Sequence, residues 1–338
     1  MINVKFSDIV GNEVLGFSSS ENIENFSSQD VSEEIGNISL LTEVKTYKTF
    51  NPKEVWFFDS TSSLDFVLMT RKGILGFVTV ALGVIKTQYK MPIPISDKSI
   101  EYDVKRFIIL PEDLGNFPSL VIDNSNCRFD FIVIRKPRIN RVEVLWKEVF
   151  LKEILPRIEK DFIIDRLSSY LSDEVILIKD GLLGEIVNSN SCRYIFGHVK
   201  NFSFPEIVFD DDRFRSRDKR TGIYVVEGGR AFHSYINLGY PEVNRPFINV
   251  NRGTYNYSRV DLAGYSLNEV EEIVARYEFI ADYLIYLTTL FSNSQRFPQN
   301  VPIIEFLESF LRNASGNKEI VKRVIEKVVL DDIKISIP

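Results

Sequence analysis

Cysteine and histidine are scarce: the 338 residues hold two of each. Cys127 and Cys192 lie far apart with no CxxC spacing. That argues against a disulfide framework and for a reduced, cytoplasmic setting. With only His198 and His233, a histidine-rich zinc site is not expected. No Gly-x-x-x-x-Gly-Lys-Ser/Thr run occurs, so ATP hydrolysis by the P-loop route is not expected. The amino terminus carries no secretory h-region. Long apolar runs are missing too; Gly73 to Ile85 comes nearest and is short and broken by glycines. No repeat and no Gly-, Pro- or Ser-rich linker divides the chain. Positive charge is also in deficit. A net charge of −6 argues against a general basic coat for nucleic acid, although a local basic groove remains open.

What is present describes an ordinary globular protein: 44% hydrophobic and 26% charged residues, on a chain long enough to bury a large core. Residues 1–50 are polar and serine-rich, then weakly helical, and read as an amino-terminal arm. From 51 to 338 the pattern predicts one large domain. Strands are expected at 54–59, 74–85, 107–110 and 129–134, the second antiparallel to the first, with 111–126 as loop. Between 142 and 171 the period changes. Leu145, Val149, Ile154, Ile158, Phe162 and Leu167 recur at helical spacing, with Pro156 splitting or kinking the helix. Strands follow at 175–180 and 194–200, then a hairpin of 221–227 and 230–238 through Gly228-Gly229, then strand and turn over 244–262. Helices are expected at 267–292, about 303–313 and 317–330.

Two stretches share one form. Val55-Trp-Phe-Phe leads into Asp59 and then Ser60; Val175-Ile-Leu-Ile-Lys leads into Asp180 and then Gly181. Each reads as a buried strand stopping at an acid, which puts a carboxylate at the strand's carboxyl end, where open α/β sheets keep their ligands. Two such acids on neighbouring strands make an oxygen-rich pocket suited to Mg²⁺ or Mn²⁺. Asp-Gly and Asp-Ser are also plain turn formers, so strand caps are the alternative. A third acid from the charged helix face, Glu159 with Asp161 or Asp165 as substitutes, could turn inward or stay solvated. Lys200, at a strand end, could steady phosphate or attacking water, or stay exposed. The loop 210–220 gathers Arg213, Arg215 and Arg217 around Phe214, for phosphate contact or as a solvated loop.

In order and spacing these motifs resemble the NurA nuclease family of archaea, over about residues 50–312. The family opens on a strand ending Asp-Gly-Ser, matched by Asp59-Ser60 with Ser for Gly. A helix with Arg and Glu follows, matched by Arg157-Ile-Glu159. Asp-Gly-x-Leu is matched by Asp180-Gly-Leu-Leu183, and a strand ending in lysine by His198-Val-Lys200. The family's Tyr-Pro element and later histidine are replaced by Phe297-Pro298 and Glu305. The resemblance implies an RNase H-like mixed central sheet flanked by helices, with a helical carboxyl-terminal part. It implies a homodimeric, metal-dependent DNA nuclease, 5'-3' exonuclease and single-strand endonuclease. Such an enzyme would act on single strands and duplex ends in double-strand-break resection, beside a HerA-like hexameric ATPase. Two Mn²⁺ or Mg²⁺ ions would be held by Asp59, Glu159, Asp180 and Glu305. The alternatives are a scaffold subunit that has lost turnover and an Argonaute- or transposase-like enzyme. The latter lacks a recognisable guide- or DNA-recognition domain here.

Overall fold

The computed structural model describes residues 14–18, 38–41, 47–89, 99–114, 119–124, 127–226, 231–239, 256–288 and 299–335. Everything is built on two long strands, β3 (Glu54–Thr70) and β4 (Gly73–Gln88). Their β-branched and aromatic residues suit a sheet buried on both faces. They pair antiparallel along their whole length, slipping once by a bulge at Leu64/Phe66. The two-residue turn between them closes with Gly73 at φ 134°, where a Cβ would stand 2.9 Å from the Ile139 carbonyl oxygen.

Around this pair lie β1 (Val14–Ser18), β2 (Ile38–Leu40), β5 (Ile100–Pro111), β6 (Ser119–Asn124), β7 (Cys127–Lys136), β8 (Val175–Asp180), β9 (Ile195–Val199), β10 (Tyr224–Val226), β11 (Ala231–Asn237) and β12 (Tyr257–Ala263). Among the described residues the sheet runs β2-β10-β11-β12-β9-β8-β3-β4-β5-β7-β6, with β1 on the far end of β3. Its centre is mixed. β5, β4 and β3 are antiparallel neighbours, whereas β8 and β9 run parallel to β3. This is the expected class: a large mixed sheet, helices on its faces and a helical carboxyl-terminal part.

Side chains alternate across the sheet and so define two layers. On one face Trp56, Phe58 and Leu177 pack beneath the helical stretch 144–167. Its apolar stripe is buried as the spacing predicts, at Leu145, Val149, Ile154, Ile158, Phe162 and Leu167. The stretch is wound in π turns over Val144–Ile154 and Ile163–Leu167, with α1 (Leu155–Phe162) between. Pro156 stands where the π-wound turns pass into α1, and the backbone stays helical on both sides of it. On the other face Val55, Phe57, Ile176, Ile178 and Phe196 pack against α2 (Val270–Leu287) and α3 (Pro302–Ser315). Further along, α4 (Lys318–Ile335) covers Phe66, Leu68 and Phe77. No helix among the described residues is long and apolar enough to cross a membrane.

Three expectations are corrected. The first strand does not stop at Asp59; it continues through the serine-rich stretch to Thr70, because β4 pairs with it throughout. The region 111–126, expected as loop, contains β6, which pairs with β7. The arm 1–50 supplies β1 and β2 to the sheet. The hairpin of β10 and β11 forms, but its Gly228-Gly229 turn lies outside the described residues, as do 240–255 and Phe297-Pro298.

Candidate active site

Although β3 runs on, its parallel partner does not. β8 pairs with β3 up to Phe58 opposite Lys179, and the next residue on each strand is Asp59 and Asp180. A crevice therefore opens at the carboxyl end of β8, with β3 as one wall and both acids at its lip. Alternation puts Asp59, with Val55 and Phe57, and Asp180, with Ile176 and Ile178, on the α2–α3 face. His198 and Lys200 follow Phe196 at two-residue steps on the same face, and His198 is in register with Asp180.

The electrostatics are those of a buried acid beside a half-buried one. Burial first, then the charge of Asp180, holds the Asp59 carboxyl well above the usual carboxylate range, against the opposing pull of Lys200. Asp59 is 7% exposed and its Oδ1 accepts the Ser60 N–H at 2.7 Å. Burial alone would raise Asp180 as well, but Lys200 and then His198 outweigh it and leave this carboxyl below its ordinary value. Lys200 Nζ donates to Asp180 Oδ2 at 2.9 Å. Burial works against the charged Lys200; Asp180, Asp59 and Glu308 more than compensate and raise its pKa. His198 Nε2 lies 2.8 Å from Ser258 Oγ, and its Nδ1 stands 3.8 Å from Asp180 Oδ1 without a hydrogen bond. Burial first, then Lys200, pushes this imidazole down to about 4, so it is neutral at neutral pH.

The structure thus brings Asp59, Asp180 and Lys200 together. It does not bring Glu159 to them. Glu159 is buried with Ile158 and Phe162 on the opposite face of the sheet, where Lys179 Nζ lies 2.9 Å from its Oε2 and Ser60 Oγ donates to its Oε1 at 2.6 Å. Ser60 and Lys179 are the strand neighbours of Asp59 and Asp180, and alternation sends them the other way. Its substitutes Asp161 and Asp165 are exposed. Glu305 accepts from Asn300 Nδ2 at 3.1 Å, and the acid on that helix whose charge reaches Asp59 and Lys200 is Glu308. Sequence reading missed Glu308; a signal was available in the apolar spacing of Ile304, Leu307 and Leu311, which Glu308 flanks. Phe297 lies outside the described residues.

The basic loop is also engaged. It folds into two single helical turns, Glu206–Phe209 and Asp212–Arg215. Arg215 pairs with Asp210 at 2.7 Å and Asp212 at 3.9 Å, and Arg213 with Glu278 at 3.9 Å. Arg217 adopts φ 56° and its carbonyl accepts from Asn237 Nδ2 at 3.3 Å.

Asp59 and Asp180 are hard oxygen donors of the kind a divalent cation takes. As they stand, no three Asp, Glu, His or Cys groups close around one point among the described residues. Lys200 holds the Asp180 oxygen at which a cation would sit.

No family model matches the chain, and no curated protein matches it. A solved structure titled "Crystal structure of the NurA nuclease from Sulfolobus solfataricus" is similar at 12% identity, over 87% of this chain and 93% of that one, with a TM-score of 0.31.

Proposed function

We propose that this chain is a metal-dependent deoxyribonuclease that hydrolyses phosphodiester bonds. The observation that carries the proposal is the pair of buried Asp59 and half-buried Asp180, side by side where β8 ends, with the Asp59 carboxyl held well above its ordinary value and Lys200 Nζ bonded to Asp180. A buried carboxyl held next to a second acid is costly, and such pairs gather where a ligand uses them. Asp59 and Asp180 would hold Mn²⁺ or Mg²⁺, two ions per site by the motif resemblance. When bound, the ions would supply Lewis-acid stabilisation of the phosphate and of its leaving oxygen. The chain's own residues orient and neutralise. Lys200, on a flexible stem, can turn from Asp180 to a phosphate oxygen. Neutral His198, anchored on Ser258, stands beside Asp180 with its Nδ1 3.8 Å from Oδ1.

The motif order also supports the finer proposals. These are action on single strands and duplex ends in break resection, a HerA-like ATPase partner and a homodimer. With no P-loop in the sequence, movement along DNA calls for such a partner. The test is cleavage of end-labelled DNA with Mn²⁺, with EDTA as control. Asp59→Asn and Asp180→Asn should each abolish cleavage while circular dichroism stays that of the parent. Activity restored by Zn²⁺ alone, or parental cleavage by both variants, counts against the site. A monomeric mass by light scattering at micromolar concentration removes the dimer.

A second proposal, a DNA-binding scaffold without turnover, is favoured by Lys200 lying directly on Asp180. It predicts DNA binding with no cleavage under any divalent metal.

A further inference from the structure

The β3–β8 ladder ends at Phe58 opposite Lys179, one residue short of the two acids. Asp59 is held on its outer side by β4, in register with Gly83, and Asp180 on its outer side by β9, in register with His198. No ladder pair joins one acid to the other. What joins them lies behind the sheet. α1 is set on β3 by Phe162, whose ring packs on Phe58 with centroids 5.7 Å apart. Glu159, three residues earlier, lies on the same side of the helix. It is 9% exposed, and its partner Lys179 4%.

Each carboxylate oxygen of Glu159 reaches one strand end. Oε1 accepts from Ser60 Oγ at 2.6 Å, and the Ser60 N–H donates to Asp59 Oδ1 at 2.7 Å. Oε2 stands 2.9 Å from Lys179 Nζ, which also donates to the Asp180 carbonyl at 3.2 Å. We propose that Glu159 is a positioning residue: from behind the sheet it clasps β3 to β8 through Ser60 and Lys179, and so fixes the spacing of Asp59 and Asp180 where the ladder no longer does. A buried ion pair is often no more stabilising than apolar residues of similar volume, so what this one contributes is geometry. Geometry matters at this spot, because a group misplaced by about 1 Å can cost about a hundredfold in rate. The inference rests on the nuclease reading above, and its test keeps the two apart.

Steady-state cleavage of end-labelled DNA with Mn²⁺ and urea unfolding are measured for the parent, Ser60→Ala, Ser60→Thr and the double variant Glu159→Gln with Lys179→Met. Ser60→Ala opens the β3 arm and leaves the ion pair in place, so its urea midpoint should stay near the parent's. The double variant opens the β8 arm without stranding a buried charge. In both, kcat per folded molecule should fall about tenfold to a hundredfold with KM held within about twofold, the pattern of a misplaced group and not of lost binding. Ser60→Thr keeps the hydroxyl and should recover most of the rate. Parental kcat in folded Ser60→Ala or in the folded double variant overturns this inference alone. So does a loss carried by KM, or a Ser60→Thr as slow as Ser60→Ala. If the double variant does not fold, the two Ser60 variants decide alone. A parent that does not cleave overturns the nuclease reading and the inference with it.

Discussion

Asp65 shows how much one buried carboxyl can carry outside the candidate site. It is 1% exposed and accepts from Ser63 Oγ and Thr79 Oγ1, each at 2.6 Å. Burial raises it to about 6, against the lowering effect of these hydroxyls and of Arg106. Its folded value exceeds its unfolded one, so the folded chain retains a proton that the unfolded chain releases. Stability is therefore lost as pH rises from the ordinary carboxylate value to about 6. At 1.36 kcal/mol per pKa unit the loss is at most about 3 kcal/mol. His198 slopes the other way. Its folded value of about 4 lies below the unfolded one, so its contribution is present above the ordinary imidazole value and is lost as pH falls toward 4. Urea unfolding between pH 4 and 7 should give a profile that rises more steeply with pH in Asp65→Asn than in the parent, and less steeply in His198→Gln. Profiles parallel to the parent's in both variants would remove both assignments.

At the same scale, Glu159 behaves as a structural acid. Removing its charge leaves Lys179 buried and unpaired, which costs about 3–5 kcal/mol for a pair of this kind. Glu159→Gln should therefore lower the urea midpoint sharply, and Glu159→Gln with Lys179→Met should recover much of it. A stable but inactive single variant would return Glu159 to the chemistry.

Among the elements, α3 and β4 decide the geometry together. Gly83→Val would press a branched side chain against Leu311 and Leu307 and lift the helix. Overpacking of this kind costs about 1–3 kcal/mol. Cleavage should fall by more than the loss of folded protein explains, because Gly83 is in register with Asp59 and the strand pair shifts with the helix. The check is activity per folded molecule from parallel unfolding and cleavage measurements; loss in strict proportion to unfolding would mean that α3 only supports the core.

Legibility in the sequence follows the range of the interactions at each element. The strands ending near Asp59 and Asp180 could be read because each is a local apolar run leading into an acid. The helical stripe from Leu145 to Leu167 could be read because its burial depends on its own period. Ser60–Ser63 could not: serines favour turns locally, and only the distant β4 keeps the strand extended. Nor could the face taken by Glu159, since spacing shows that a residue turns inward but not which side of the sheet receives it. The packing of Leu307 and Leu311 on Gly83 depends on a strand distant in the chain, and nothing near that helix records it.

For the whole molecule, the parts of the candidate site come from β3, β8, β9 and α3, which lie far apart in the chain, whereas β3 and β4 are joined by a two-residue turn. The long antiparallel pair has only local contacts to find; the parallel pairing of β8 and β9 must wait for large loops to close. Folding should thus produce the spine early and the crevice late. On refolding from urea, pulse-labelled hydrogen exchange should show the amides of β3 and β4 protected before those of β8 and β9. The strand that carries Asp59 is in this sense also a clock: the frame of the molecule stands before the crevice exists to receive anything.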